Sequence, residues 1–594
     1  MSVPRDSYLK KQPLVPADAD VEKLAAKCEQ KVARPAWGVG WLHSANKLER
    51  SAVQQLFRSA ISLLRLLTTP AVLLFLVPSF ILSPFDRSLR SKKPAKRNHL
   101  AALDGLRGLA CLMVMHMHWS FAVTDSNKNG SPETNSKYLF HRPFFYLFWA
   151  GTSHVNIFFV MSGYVLSVKC LHMLHQHQGS QAYDVLASSI LRRACRIFLP
   201  PIALLFIFLV AIRMHVFDRA DAIFKENREH RIYQLALFET VPPILPTFYD
   251  QLRDVLGAAY NLMDPSPHQY FPVSSYAPYD THLWTIPTEF YCSMALFVVL
   301  VATSRIRTEC RLYVHFFLVA FCWLVNHQQH GLFFAGMTIA ELDVMLKLRQ
   351  DNALKRRPDS APKSSATLSE ALPGALSSYL RRSNMVRAGG FTFGCYLLSL
   401  PLVWAENTPA FMPVINAMPE YMQVGHRQDA LRALGAVLVV WSITYTVTVD
   451  NARPSYFIRA VFENPVSRYL GQISFSFYLI HGFVIRSLGY TILPSLYTFV
   501  IPDPQRRKAL AGRHDANLGW VDSDVAITSV EVAAIWILGY LIVLPACIWM
   551  SDIFWRAVDV KSMSLSRWID EKMLPPREDH SSEKLNSRAA AKMS

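Results

Sequence analysis

One apolar stretch of the chain carries a group that could bind an anion and a group that could move a proton. Arg107 and His118 lie eleven residues apart in residues 103–118, whose sequence is LDGLRGLACLMVMHMH. Eleven residues make about three turns of an α-helix, so the two side chains would share one face, about 16 Å apart along the axis. A guanidinium suits phosphate groups, and a neutral imidazole can accept a proton from a hydroxyl and later return one. This spacing predicts an anion-binding group and a general base on one helix.

Both groups also have a structural interpretation. Arg107 could anchor the helix end, paired with Asp104, and His118 could be a core histidine bonded to a neighbouring carbonyl. Ionisable groups are costly to bury in a membrane helix and usually mark function or a polar pathway, which favours the catalytic interpretation of His118. His116 points to another side of the helix, and we expect it to be a core residue.

Three more charged side chains could belong to the same site. Arg193 and Arg196 lie one turn apart where an apolar stretch begins, so they could clamp phosphates or simply anchor a helix on the cytosolic side. Glu289, in HLWTIPTEFY, would be a carboxylate inside the membrane, whose natural partner is an Arg or a His on another helix. It could orient His118, hold a substrate hydroxyl, or tie helices together by a structural hydrogen bond.

Two further histidines lie in apolar stretches. His282 precedes Glu289 by seven residues and would share its face if the helix starts early. Ser474 and His481 are also seven residues apart, in ISFSFYLIH. We expect Ser474 to bond across helices and His481 to be a second polar cavity residue.

These residues must be positioned by membrane helices, because the chain is 51% hydrophobic and 12% aromatic, more apolar than a typical soluble domain. Several windows of about 18 to 22 residues nearly lack charge, which is long enough to cross a bilayer. We predict an all-α, polytopic bundle of ten spanning helices, at 101–123, 144–167, 198–213, 284–304, 312–327, 331–346, 389–405, 430–449, 470–490 and 529–550. A further apolar segment at 62–83 would either span or lie in the interface.

The net charge of +17 has a topological explanation that does not need nucleic acid. The predicted cytosolic connections collect arginines and lysines, as at 87–97, 192–196, 305–311 and 347–387, which matches the positive-inside bias. The basic loop 491–528 is an exception. We expect no nucleic-acid partner. We do expect contact with membrane lipid, and N- and C-termini in the cytosol.

Composition divides the chain into a membrane domain and its flanks. Residues 1–99 form a polar leader with a basic juxtamembrane stretch, 100–550 the membrane domain, and 551–594 a polar tail. Within the domain, 349–385 is expected to be a flexible linker. The long segment 214–283, rich in Pro and Tyr, is expected to be either a lid over a cavity or an ordinary structured loop.

The cysteines give no sign of cross-links or metal. None of the nine lies in a predicted outer loop and no CxxC pair occurs. We therefore expect no disulfide framework and no metal site.

Five segments, at 103–118, 156–167, 192–200, 283–291 and 473–481, together resemble the integral-membrane acyltransferase 3 family, over about residues 100–550. The Pro of TIPTEF is similar to the eukaryotic, fungal-type branch. The resemblance implies helices around a polar cavity and an acyl-coenzyme A, usually acetyl, as co-substrate from the cytosol. It also implies that Arg107 and His118 are both needed for acyl transfer. Arg193 and Arg196 match the family's paired arginines, and Trp284 and Glu289 match its Trp and Glu after the long loop.

The sequence thus predicts an O-acyltransferase that moves an acetyl group from acetyl-CoA to a hydroxyl of a small lipophilic secondary metabolite. Arg107, Arg193 and Arg196 would bind the coenzyme A phosphates, and His118, with Glu289, would perform the chemistry. The endoplasmic reticulum or another endomembrane is the expected location. Two alternatives stay open: a cell-surface or lumenal glycan as acceptor, and a membrane transporter or exporter with the same polar midline. Against the transporter, no paired halves are visible in the sequence.

Overall fold

A computed structural model describes most of the predicted membrane domain. The described residues are 75–82, 101–123, 142–230, 239–264, 277–355, 374–401, 408, 410–419, 424–444, 457–510, 513–515, 519–521 and 528–573. The apolar segment predicted at 62–83 lies mostly outside them, and so do nearly all of the leader and the end of the tail.

The described residues are almost entirely helical, as predicted. The α-helices of the first half are α1 Ser79–Leu82, α2 Ala101–Val123, α3 Gly151–His175, α4 Gly179–Arg213, α5 Asp218–His230, α6 Phe248–Met263, α7 Thr285–Thr303, α8 Thr308–Leu324 and α9 Gln328–Lys355. Those of the second half are α10 Gly374–Leu398, α11 Met412–Asn416, α12 Val424–Thr444, α13 Phe457–Glu463, α14 Pro465–Val484, α15 Tyr490–Val500, α16 Pro504–Leu510, α17 Ser529–Phe554 and α18 Val560–Met573. Short 3-10 helices occupy Tyr146–Phe148 and Thr281–Trp284.

Among the described residues, one small antiparallel hairpin departs from the helical fold. Its strands, β1 Arg513–Asp515 and β2 Gly519–Val521, pair Arg513 with Val521 and Asp515 with Gly519. The hairpin lies in the basic loop predicted at 491–528, between two long apolar helical segments.

Five continuous helical segments are long and apolar enough to cross a membrane. Within the described residues these are Gly151–His175, Gly179–Arg213, Thr281–Thr303, Pro465–Val500 and Ser529–Met573. Each overlaps one of the ten predicted spans. The other five predicted spans overlap helices α2, α8, α9, α10 and α12, which do not combine the required length, hydropathy and low charge, so the count of ten stays a prediction.

Two of the five segments contain a π-helical turn. Ile485–Gly489 joins α14 to α15, and Trp555–Asp559 joins α17 to α18. A π turn re-aims the side chains that follow it, and such turns are frequent at functional sites. Both turns in this chain contribute charged side chains to the site described below.

Helix α2 packs tightly against α14 because both carry glycine at the crossing. A Cβ atom on Gly471 would lie 2.2 Å from the carbonyl oxygen of Asp104, and one on Gly108 would lie 2.4 Å from the Gly471 nitrogen. Small residues let two backbones approach this closely. The contact places the Arg107 end of α2 directly against α14.

Helices occupy parts of three segments that were predicted to lie between or after the spanning helices. Helices α9 and α10 extend into the linker predicted at 349–385, to Lys355 and from Gly374. The tail predicted from residue 551 is helical as far as Met573, where α18 packs on α4. The segment 214–283 contains helices α5 and α6, so part of it is a structured connection.

Candidate active site

Two neighbouring cavities lie between the helices. The first has a volume of about 320 Å³ and is lined by His118 and His282; the second has a volume of about 430 Å³ and is lined by three arginines. Val155 and Tyr478 line both cavities. The predicted base and the predicted anion-binding groups therefore face two spaces that share part of their walls.

The His118 imidazole contacts a carboxylate that the sequence did not point to. Its Nδ1 atom contacts Oε1 of Glu239, which lies in the loop between α5 and α6. The Nε2 atom of His282 lies 3.0 Å from the same His118 nitrogen and 3.1 Å from Glu239 Oε1. The three side chains form a compact, largely buried group, and its two histidines line the first cavity.

A second carboxylate supports His282 from the other side. Oδ1 of Asp280 lies 2.7 Å from His282 Nδ1, and Oδ2 lies 2.8 Å from Nη2 of Arg486. Asp280 and Arg486 are both completely buried. Asp280 is the N-cap of the 3-10 helix Thr281–Trp284, and its side chain accepts a hydrogen bond from the His282 backbone N–H. The π turn at Ile485–Gly489 delivers Arg486.

Both carboxylates are held in the ionised state. Burial alone would raise the pKa of Glu239, but the adjacent His282 and His118 hold it well below its usual range. Burial likewise opposes ionisation of Asp280, and Arg486 followed by His282 outweighs it, so its pKa is also lowered. Two negative charges therefore lie within contact of the histidines.

The geometry indicates which nitrogen of His118 is available for chemistry. Glu239 Oε1 can only accept, so its contact with Nδ1 assigns the proton of the neutral ring to that nitrogen, and His282 Nε2, 3.0 Å from Nδ1, bonds the same oxygen. Nε2 is then the acceptor of the neutral ring. The side chain is 14% exposed and lines the first cavity. A group with this tautomer and position can act as a general base.

A buried glutamine holds the segments that carry the two carboxylates. Gln251 of α6 accepts from Nη2 of Arg213 at 2.8 Å and from the backbone of Leu245 at 2.9 Å. Its amide nitrogen donates to the Pro243 carbonyl at 3.0 Å and to the Tyr279 hydroxyl at 2.7 Å. The Glu239 loop and the residue before Asp280 are thus tied to one side chain.

The second cavity collects the three predicted arginines. Arg107 donates to the Gly471 carbonyl at 2.9 Å and lies 3.5 Å from Asp104, its predicted partner. Arg193 donates a hydrogen bond to the Ser293 hydroxyl and forms an ion pair with Glu289. Within the described residues, Arg196 makes no hydrogen bond or ion pair, and it lies near both other arginines and Asp559. Arg196 is therefore a cation whose charge an anion could satisfy.

Glu289 lies in the arginine cavity. Its Oε1 atom accepts from Nη2 of Arg193 at 2.6 Å and from the Ser162 hydroxyl at 3.0 Å. The structure does not place Glu289 beside His118, as one alternative expected. Glu239 contacts His118 instead. Glu289 instead fixes the direction of Arg193.

Sequence reasoning missed Glu239, Asp280 and Arg486. Glu239 lies in a loop with no periodicity, so no local signal marked it. Asp280 precedes the start of a helix, where Asp is a common N-cap residue, so finding an Asp there did not indicate a functional role. Arg486 offered a clear signal, since it is an arginine inside a stretch that was predicted to span the membrane.

Two other histidines have different surroundings. His116 packs among three aromatic rings, those of Trp149, Trp536 and Tyr540, at 4.7 to 5.4 Å between centroids, as expected for a core residue. His481 is fully buried, and its ring centroid lies 4.4 Å from that of His282.

The histidine group also has the composition of a metal site. His118, His282 and His481 each offer a ring nitrogen, and these atoms lie within 4.8 Å of one another. Imidazole nitrogens are common ligands of zinc and other transition metals. The absence of a metal stays a prediction from the sequence.

Comparison with known proteins places the chain in a family. The sequence profile of a family described as "Acyltransferase domain" matches residues 100–556. The chain is 27% identical to an O-acetyltransferase of Phomopsis amygdali over 494 residues, which cover 80% of this chain and 85% of that protein. It is 26% identical to an acyltransferase of Cochliobolus lunatus and 25% identical to one of a Phoma species; each alignment covers 68% of this chain and 86% of the relative. No solved structure matches the chain.

Proposed function

Since the chain belongs to the acyltransferase domain family, we propose that it is a membrane O-acyltransferase that moves an acetyl group from acetyl-coenzyme A to a hydroxyl of a small lipophilic metabolite. The observation that carries the proposal is the pair of adjoining cavities, with His118 in one and three arginines in the other. An enzyme that transfers an acyl group from coenzyme A to a hydroxyl needs a general base for the hydroxyl and a region that binds the phosphates of coenzyme A.

The arginine cavity would bind the donor. Coenzyme A carries several phosphate charges, and guanidinium groups bind phosphates through forked, charge-assisted hydrogen bonds. Arg196 offers the free charge for this contact, and Arg107 and Arg193 lie beside it. The pantetheine arm would pass Val155 and Tyr478 to bring the thioester to His118.

The chemical step would be a direct transfer between the two substrates. Nε2 of His118 accepts the proton of the acceptor hydroxyl while its oxygen attacks the thioester carbonyl carbon. A C–O bond forms and a tetrahedral intermediate results. When that intermediate collapses, the C–S bond breaks and the coenzyme A thiolate takes the proton back from Nε2. The ester and free coenzyme A are released, and His118 returns to its neutral form.

The walls of the first cavity support a lipophilic acceptor. Val114, Met117 and Trp284 line it, and their side chains favour an apolar body over a sugar. Its volume of about 320 Å³ suits a small molecule rather than a polymer. The name of the Phomopsis relative supports acetyl as the transferred group. The proposal also includes a role in secondary metabolism. We place the protein in the endoplasmic reticulum or another endomembrane, with both termini in the cytosol.

The test is acetyl transfer in membranes that contain the full chain. Membranes are incubated with labelled acetyl-coenzyme A and a panel of lipophilic alcohols and glycans, and the ester products are separated. His118→Ala should lower ester formation at least about 100-fold, the size expected for loss of a general base. His315→Ala is the matched control, because His315 is a buried histidine of α8 that lines neither cavity.

Each outcome has a clear meaning. Product from an alcohol, lost in the His118 variant but kept in the His315 variant, supports the proposal. Esterification of a glycan alone would replace the acceptor class, and undiminished product in the His118 variant would reject the base. Metabolite profiles of a deletion strain and its parent would then identify the acceptor, as the alcohol that accumulates without its acetyl group.

A further inference from the structure

We propose that His282 is a positively charged positioning residue, clamped between Asp280 and Glu239, which holds Glu239 in place to orient His118. The expected effect of His282 on catalysis rests on the proposed function. A second histidine at the site thus has a role that is different from that of the base.

The contacts of His282 determine its charge. Nδ1 lies 2.7 Å from Asp280 Oδ1, and Nε2 lies 3.1 Å from Glu239 Oε1. A neutral imidazole has one N–H and one bare nitrogen, and a bare nitrogen facing a carboxylate is repelled. With a carboxylate oxygen close to each ring nitrogen, both contacts are favourable only when the ring is the imidazolium, which carries a proton on each nitrogen.

The charges of the group alternate along a chain of contacts. Arg486 pairs with Asp280, Asp280 with His282, and His282 with Glu239, which then contacts His118. Two cations and two anions precede the neutral base. A buried charge is tolerated when it is paired, and removal of one partner leaves the other uncompensated. Without the His282 charge, Asp280 would keep its pair with Arg486, and Glu239 would lose its cationic contact.

The remaining neighbours of His282 support its position. Nδ1 of His481 donates to the Phe477 carbonyl at 3.3 Å, and its ring centroid lies 4.4 Å from that of His282. The Tyr478 hydroxyl donates to the His282 carbonyl at 2.7 Å, and the Tyr490 hydroxyl donates to the Glu239 carbonyl at 2.9 Å. The backbones of both partners are therefore fixed independently of the ion pair.

A glycine makes room for the clamp. A Cβ atom on Gly482 would lie 2.5 Å from His282 Nδ1 and 2.6 Å from Asp280 Oδ2. Both contacts are far too short for real atoms, so only glycine at this point of α14 allows the imidazole and the carboxylate to meet.

The arrangement predicts a separation of roles at the site. His118, which lines the cavity and contacts Glu239 through Nδ1, exchanges a proton with the substrate through Nε2. Each nitrogen of His282 faces a carboxylate oxygen and the side chain is only 5% exposed, so as an imidazolium it has no lone pair to offer to a substrate. Its contribution is to keep Glu239 aligned and to balance its charge.

The kinetic test is His282→Gln in the full chain, assayed for acetyl transfer across a range of pH. We expect kcat to fall about 10- to 100-fold, the usual cost of losing an outer positioning group, while KM for acetyl-coenzyme A changes less than about twofold. The acid limb of the rate profile should move to higher pH, because a positive charge next to the base no longer opposes its protonation. His315→Gln, at the buried histidine of α8, should change none of these quantities.

A second measurement does not depend on activity. Thermal unfolding of His282→Gln, Glu239→Gln and the double variant forms a double-mutant cycle. We expect each single change to lower Tm and the double change to lower it by less than the sum, because the second substitution removes the charge that the first left unpaired.

The outcomes separate this inference from the proposed function. If wild type transfers acetyl but His282→Gln keeps its kcat and pH profile, the inference is overturned and the function stands. If no alcohol is acetylated, the function fails, and additive Tm losses would overturn the inference on their own. One equivalent of metal in the purified protein, lost in His481→Gln, would also overturn it, since the three histidines would then be ligands.

Discussion

His118 and Glu239 contact each other directly although 121 residues separate them in the chain. The imidazole comes from a membrane-domain helix and the carboxylate from a loop between two helices of the long connecting segment. The contact converts an isolated histidine into an oriented dyad, with a protonated Nδ1 and a free Nε2. The connecting segment is therefore part of the catalytic apparatus in the proposed function.

Substitutions of Glu239 should lower the rate of acetyl transfer more when the new side chain is a poorer hydrogen-bond acceptor for His118 Nδ1. Glu239→Gln keeps an oxygen near Nδ1 but loses the charge, and we expect kcat for acetyl transfer to fall about 10- to 100-fold. Glu239→Leu loses the acceptor as well and should fall further. Steady-state kinetics with acetyl-coenzyme A and an accepted alcohol measure both, and KM for the donor should stay nearly constant. Equal kcat values for wild type and Glu239→Leu would exclude the dyad.

Arg196 should contribute to donor binding and little to the chemical step. Arg196→Ala removes a cation that has no protein partner among the described residues, and we expect KM for acetyl-coenzyme A to rise about tenfold, equivalent to about 1.4 kcal/mol. Arg192→Ala is the matched control, because Arg192 lies on the same helix, 3.6 Å from Asp570, and outside the cavity. The measurement is KM and kcat for both variants at two salt concentrations. A rise in KM of the same size in the control would mean that the effect is general electrostatics.

The sequence predicted the parts of the site that lie on periodic helices. The predicted span 101–123 coincides with Ala101–Val123, which carries both Arg107 and His118 as the spacing required. Arg193 and Arg196 were predicted from their position at the start of an apolar stretch and from the family resemblance, and the structure brings them to one cavity with Arg107. Their roles stay predictions.

The rest of the site depends on tertiary contacts that have no local pattern. Glu239 is one of 44 acidic residues, and its loop gives no period that would indicate a partner. Glu289 was expected to meet an Arg or a His, and sequence spacing within one helix cannot choose between Arg193 and His118 on two others. The choice is made by how α2, α4 and α7 pack, which is a property of the whole bundle.

Folding stability should depend on pH through Asp280. Its pKa is lower in the folded protein than in the unfolded chain, so its contribution is complete above the unfolded pKa of about 4 and is lost as pH falls through the folded value. We expect Asp280→Asn to lower Tm most near neutral pH, with the difference from wild type shrinking as the pH falls below about 4. Thermal unfolding of purified protein in detergent, measured at several pH values, gives both curves. A difference that is constant across this range would show that the ion pair with Arg486 does not stabilise the fold.

The crossing of α2 and α14 should be intolerant of even one methyl group. Gly471→Ala would place a Cβ atom 2.2 Å from the Asp104 carbonyl oxygen, so the helices must separate, and we expect a loss of about 1–3 kcal/mol in the free energy of unfolding. Because Arg107 donates to the Gly471 carbonyl, the same shift should also raise KM for acetyl-coenzyme A. Gly257→Ala is the control: this helical glycine of α6 has open space around its Cβ position, and the substitution should be neutral or stabilise the helix slightly. Tm and KM for the two variants decide the matter, and a Gly471→Ala protein with wild-type values of both would show that the two helices do not pack at this distance.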